Sequence, residues 1–142
     1  MKVFVDANIL VSVLNKEYPL FTQTARILSL AGNSNFQIYT SPVCLAIAFY
    51  FAEKKYRASK AKEKIALLCQ YIKIAEATEK SLEKALKNSA VLDFEDGLEY
   101  YAAIENKCTC IVTEDVGDFH FATIEVVNSD DFFLKYMTKK KS

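Results

Sequence analysis

Histidine, glycine and proline are all scarce in this chain, with one His, three Gly and two Pro in 142 residues. The single His120 removes most zinc chemistry and any triad whose histidine base leans on further histidines. No glycine-rich stretch precedes a Lys-Ser/Thr pair, so a phosphate-binding loop is excluded. Collagen-like and low-complexity chains need far more Gly and Pro than this. The four cysteines, Cys44, Cys69, Cys108 and Cys110, are scattered. Their one close spacing is a Cys-x-Cys inside an apolar run, which is neither a zinc ribbon nor a disulfide framework, so they read as buried thiols. Long hydrophobic runs are missing too. The longest uncharged apolar stretch, Pro42 to Ala52, falls well short of the ~20 residues of a spanning helix. Asp6 and Asn8 interrupt the apolar N-terminus, and no small-residue cleavage site follows. A cytoplasmic protein with no membrane association is expected.

Hydrophobic residues make up 51% of the chain and charged residues 25%, enough to bury a core without disulfides or structural metal. One domain over residues 1–142 is expected, with the basic end from 135 to 142 as a frayed tail. The net charge is zero, yet residues 1–90 carry 13 Lys/Arg against 7 Asp/Glu, whereas residues 91–142 carry 5 against 11. An excess of +6 beside one of −6 suits a polyanion-binding face next to a cation-binding site, or simply two solvated surfaces.

Short apolar runs alternate with helical periodicity along the chain. Strands are expected at Lys2–Asp6, Phe36–Thr40, Ile72–Ala75, Cys108–Val112 and Thr123–Val127. Between them, helices are expected from Ala7, from Pro19, from a Ser41 cap with Pro42 at the first position, from a Ser59 cap, over 79–87 and over 93–106, with Ser129 capping a last one. This alternation implies an α/β fold with a mainly parallel sheet, because parallel neighbours need helical crossovers. Ligands then sit beyond the carboxyl ends of the strands.

Acidic residues fall there. Asp6 ends the first strand, Asp96 lies in the first turn of the acidic helix, and Asp115 and Asp118 follow the fourth strand. Carboxylates gathered in one cleft repel each other unless hard cations neutralise them, which suits Mg2+ or Mn2+ and metal-assisted phosphodiester hydrolysis. Taken singly, Asp93 and Asp96 read equally as helix N-terminal acids and Asp115 as a turn cap. Asp6 does not, because an acid ending a buried strand needs partners.

Three segments, VFVDANIL at the start, DFEDGLEYYAA in the acidic helix and IVTEDVGDF near the end, resemble in this order the PIN-domain ribonucleases, which include the VapC-type toxins of toxin–antitoxin pairs. The resemblance covers nearly the whole chain. It implies a three-layer α/β/α sandwich and a divalent-metal site that cleaves RNA by activated water. By position, Asp6, Asp96 and Asp115 become the catalytic, metal-holding acids. Asn8 and Thr113 support them by hydrogen bonding, Asp118 is a supporting acid or alternative ligand, and Asp93 and Glu99 flank Asp96 on the helix. One departure stands out: family members usually carry a glutamate near the position of Ile47, and this helix offers none before Glu53. Asp93 then compensates, or metal affinity falls, or catalysis is lost.

Residues 53–64 hold six basic and two acidic side chains, and Lys54, Lys55, Arg57 and Lys60 are the candidate RNA contacts, with a solvated helix surface as the plain alternative. A phosphorylation receiver would need an Asp after its third strand, where IKIAEAT has none. A haloacid-dehalogenase-type phosphatase needs a second Asp two residues after the first, and Asn8 occupies that place. The competing reading is a degenerate PIN-like domain that binds RNA or a protein without cutting. The resemblance also implies a homodimer and an antitoxin partner, either of which would cover the apolar helix from Pro42 to Ala52.

Overall fold

The computed structural model describes residues 1–138. Its centre is a five-stranded sheet of β1 (Lys2–Val5), β2 (Gln37–Thr40), β3 (Lys73–Ile74), β4 (Cys110–Val112) and β5 (Glu125–Val127), ordered β3-β2-β1-β4-β5. Every pairing is parallel, with Val3 opposite Ile38 on one side and Cys110 on the other. Val3, Phe4 and Val5 are all fully buried, as a central strand covered on both faces requires.

The crossovers carry the helices α1 (Ala7–Leu14), α2 (Phe21–Ser29), α3 (Pro42–Lys55), α4 (Ala58–Cys69), α5 (Glu79–Lys87) and α6 (Phe94–Glu105), and α7 (Ser129–Phe132) closes the fold. Helix α1 packs on α2 and α3, and α3 on α4, while α5 packs on α6. Right-handed crossovers place the first four on one face and the last pair on the other, giving the three-layer α/β/α sandwich. Ile9, Leu10 and Ile27 pack from the helices onto Phe4, Ile38 and Ile111 of the strands.

Sequence expectations need three local corrections. Ser59 does not cap α4: the cap position is Arg57, without a side-chain bond, and Ser59 sits inside the first turn. Ser129 likewise lies inside α7, whose cap is Asn128 accepting from Asp131 N–H. The chain does not fray from residue 135, because Phe133–Met137 form a π-helical turn in which Lys135 and Tyr136 both donate to Glu125. The remaining basic end, Lys139 to Lys141, lies outside the described residues.

Gly97 shows how tightly α6 is seated. A Cβ there would meet Val91 Cγ1 at 2.6 Å and the Ala85 Cβ at 3.3 Å, so side chains from α5 and the following loop occupy the space. Gly97→Val adds two methyl groups as well and is expected to cost about 1–3 kcal/mol, the range for overpacking. A lowered urea midpoint against wild type checks it, and an unchanged midpoint would show that the loop yields freely.

Candidate active site

The strand order reverses direction at β1, whose neighbours β2 and β4 are reached by opposite crossovers, and the crevice at such a switch point is where open parallel sheets bind ligands. Asp6 stands there. Its N–H donates to the Val112 carbonyl at 3.0 Å, carrying the β1–β4 pairing one residue further. Its two carboxylate oxygens accept from Ala7 N–H at 2.6 Å and from the Thr113 hydroxyl at 2.8 Å. These bonds satisfy a side chain that is 7% exposed and fix its direction.

Thr113 and Asn8 tie the loop after β4 to the start of α1. The Thr113 Oγ1 accepts from Asn8 Nδ2 at 3.2 Å and from Asp115 N–H at 3.1 Å. The same Asn8 amide donates to Asp115 Oδ2 at 3.2 Å, and its Oδ1 accepts from Glu114 N–H at 3.3 Å. Asp115 holds the cap position of the 3-10 turn Val116–Phe119, but only its carbonyl bonds to the turn, accepting from Asp118 N–H at 3.0 Å, which leaves its side chain for the cleft.

Helix α6 supplies the opposite wall. Asp93 is its N-cap, accepting from Glu95 N–H at 2.9 Å, so the capping role holds for this acid. One turn on, Asp96 is buried and lines the crevice. The resulting cleft, of about 470 Å³, gathers Asp6, Asp93, Asp96, Asp115 and Asp118. Glu17, Glu95, Glu99 and Glu114 also reach its walls, and among the described residues no Lys or Arg does. Ile47 lines the same cleft, as the register of the resemblance requires.

Crowded acids shift one another. Burial pushes the Asp96 carboxyl up to about 7, helped by the negative charges of Asp93, Asp6, Asp118 and Glu95. Glu99, 2% exposed, is pushed up to about 11 by burial first and then by its hydrogen bond with Asp6 and that acid's charge. Burial also raises the Cys44 thiol, which donates to Glu99 Oε1 at 3.0 Å. Donor atoms of Asp6, Cys44 and Glu99 all lie within 4.8 Å of one another. Sequence reasoning placed Glu99 beside Asp96 but missed its meeting with Asp6 and Cys44. The only signal was its i+3 spacing on the helix.

The candidate RNA contacts are not brought to the cleft. Lys54 lies over the ring of half-exposed Tyr50, with its Nζ 4.1 Å from the centroid. Lys55 donates to the Asn15 carbonyl, whereas Arg57 and Lys60 are exposed at the start of α4.

An all-oxygen set of carboxylates, hydroxyl and amide, with no basic partner among the described residues, is the donor chemistry of a hard divalent cation. The chain matches the curated ribonuclease VapC1 of Aquifex aeolicus at 26% identity over 141 residues, covering 96% of each chain. Among solved structures, VapBC-1 from nontypeable Haemophilus influenzae superposes with a TM-score of 0.71 at 17% identity, covering 92% of this chain and 99% of that one. The sarcin-ricin loop cleaving toxin VapC20 of Mycobacterium tuberculosis does so at 0.67 and 16%, covering 86% and 95%. The family model for the PIN domain matches residues 2–117, the span that runs from β1 through the acid-bearing loop after β4, and the chain belongs to that family.

Proposed function

We propose that this protein is a divalent-metal-dependent endoribonuclease and the toxin of a toxin–antitoxin pair. The observation that carries this reading is the cleft in which Asp6, Asp96 and Asp115 converge with no basic residue among the described ones to neutralise them. Asp6, Asp96 and Asp115 are the residues that would hold Mg2+ or Mn2+, with Asp118 beside them. Held there, such a cation would supply the positive charge that polarises a phosphodiester and activates water. Thr113 orients Asp6, and Asn8 orients Asp115, through the bonds described above. Asp93 fixes the start of α6 and so the reach of Asp96. Lys54, Lys55, Arg57 and Lys60 lie outside this cleft, where a basic face would hold the flanking backbone of the RNA.

The relative named a ribonuclease and the neighbour described as cleaving the sarcin-ricin loop support RNA as substrate. The Haemophilus neighbour is a VapBC assembly, which supports an antitoxin partner for this chain. Exposed Tyr50 and Phe51 on α3, together with Leu82 and Leu86 on α5, are apolar surface that an antitoxin or a second copy would cover. No helix among the described residues is long and apolar enough to cross a membrane, and the cytoplasm is the compartment that this reading assigns.

Incubating the purified chain with structured RNA in Mn2+ should give discrete fragments that vanish with chelator. Chelator-resistant cleavage would overturn the metal mechanism, and retention of RNA without cleavage would select the non-catalytic domain.

A further inference from the structure

We propose that Glu99 is a further ligand of the cation held at Asp6, delivered by α6 to the inner wall of the cleft, and that the Cys44 thiol positions it. The inference rests on the metal-dependent reading above. Around Asp6 three elements converge: α1 brings Asn8, α3 brings Cys44 and Ile47, and α6 brings Asp96 and Glu99. Of the three, α6 is the one that brings carboxylates to the cleft, and Glu99 is the one whose oxygen comes within 4.8 Å of both the Asp6 oxygen and the Cys44 sulfur.

That spacing fits an ion. Ligand oxygens around Mg2+ lie at roughly 2.1 Å, so two of them are about 3 Å apart when adjacent and about 4.2 Å apart when opposite. A small contraction brings Asp6 and Glu99 onto one cation. The burial argues the same way. A glutamate 2% exposed and pressed against an aspartate either keeps its proton or gives it up to a cation, and no Lys or Arg among the described residues lines this cleft to take that place. The Cys44 thiol is a weak donor and offsets little of that cost. It does fix the rotamer: Cys44 is itself anchored, with its N–H donating to Ser41 Oγ at 3.2 Å, and its sulfur donates to Glu99 Oε1. The carboxylate is thereby aimed at Asp6 before any ion arrives, as an oriented ligand requires.

Titrating Mn2+ into the metal-stripped full chain by calorimetry tests the assignment without any cleavage assay. Glu99→Gln keeps the shape and still accepts from the Cys44 thiol, so the fold should persist, as circular dichroism will show. Mn2+ affinity should fall by more than about tenfold, at least the loss seen when a supporting group of a metal site is removed. Cys44→Ala should weaken binding by less, because the ligand stays and only its aim is lost. Asp96→Asn separates the two readings. If Glu99→Gln binds Mn2+ as tightly as wild type while Asp96→Asn does not, Glu99 is no ligand and the metal site stands. If both variants bind as wild type, the metal-dependent reading fails with it.

Discussion

Replacing Asp96 by Asn is expected to remove metal-dependent RNA cleavage, by roughly 10²-fold or more, the scale on which a lost charge-stabilising group shows in turnover. The substitution preserves size and shape, so α6 keeps its seat against Val91 and Ala85. What it deletes is a charge in the middle of the acid cluster. Asp96 is buried beside Asp93, Asp6, Asp118 and Glu95 and has no hydrogen-bonding partner for its carboxylate among the described residues. It contributes repulsion to the metal-free fold and attraction to the metal-loaded one. The variant should therefore be inactive in Mn2+ and, at pH 8 without metal, melt no lower than wild type. Full cleavage by Asp96→Asn would remove this acid from the site, and a collapsed fold would show that its carboxyl has an unseen structural partner.

Much of that site is legible along the chain because its acids sit at element ends. Asp6 directly follows a three-residue buried run, and the acidic helix and the strand leading into Thr113 are each recognisable from local pattern. Parallel pairing then brings their ends together without further information. The fine placement of caps was less legible. Ser59 and Ser129 are good cap types, but Arg57 and Asn128 take the extended conformation before α4 and α7, and tertiary fit decided which residue turns. The Glu99–Cys44–Asp6 contact lay beyond reach for a different reason. Residues 44 and 99 are 55 positions apart, and only the packing of α3 against α6 at the sheet's carboxyl edge makes them neighbours. The basic run is legible only as a composition: a charge count identifies a basic surface, not which way it faces, and Lys55 is engaged with the Asn15 carbonyl.

The other large effect is on stability, and its sign follows from the raised acids. Asp96 is pushed from an ordinary value of 3.8 to about 7, and Glu99 from 4.5 to about 11. The folded chain thus holds protons that the unfolded chain has already released, over a window from about pH 4 to 7 for Asp96 and beyond it for Glu99. Stability must fall as pH rises through that window. Glu125 and Glu105 shift the opposite way, downward: burial pulls Glu125 up but the bonds from Lys135 and Tyr136 together outweigh it, and the Thr78 hydroxyl lowers Glu105. Their stabilisation is lost only as pH falls below the ordinary carboxylate range, so they do not cancel the trend between pH 5 and 8. The metal-free protein is therefore expected to melt at a higher temperature at pH 5 than at pH 8, and Asp96→Asn should flatten the first part of that slope. Saturating Mn2+ at pH 8 should raise the melting temperature again, because an ion that binds only the folded cluster stabilises it by mass action. A melting temperature that is level from pH 5 to 8 without metal would show that the cluster is already neutralised by something other than protons. A slope that persists undiminished in saturating Mn2+ would place the cation away from these acids.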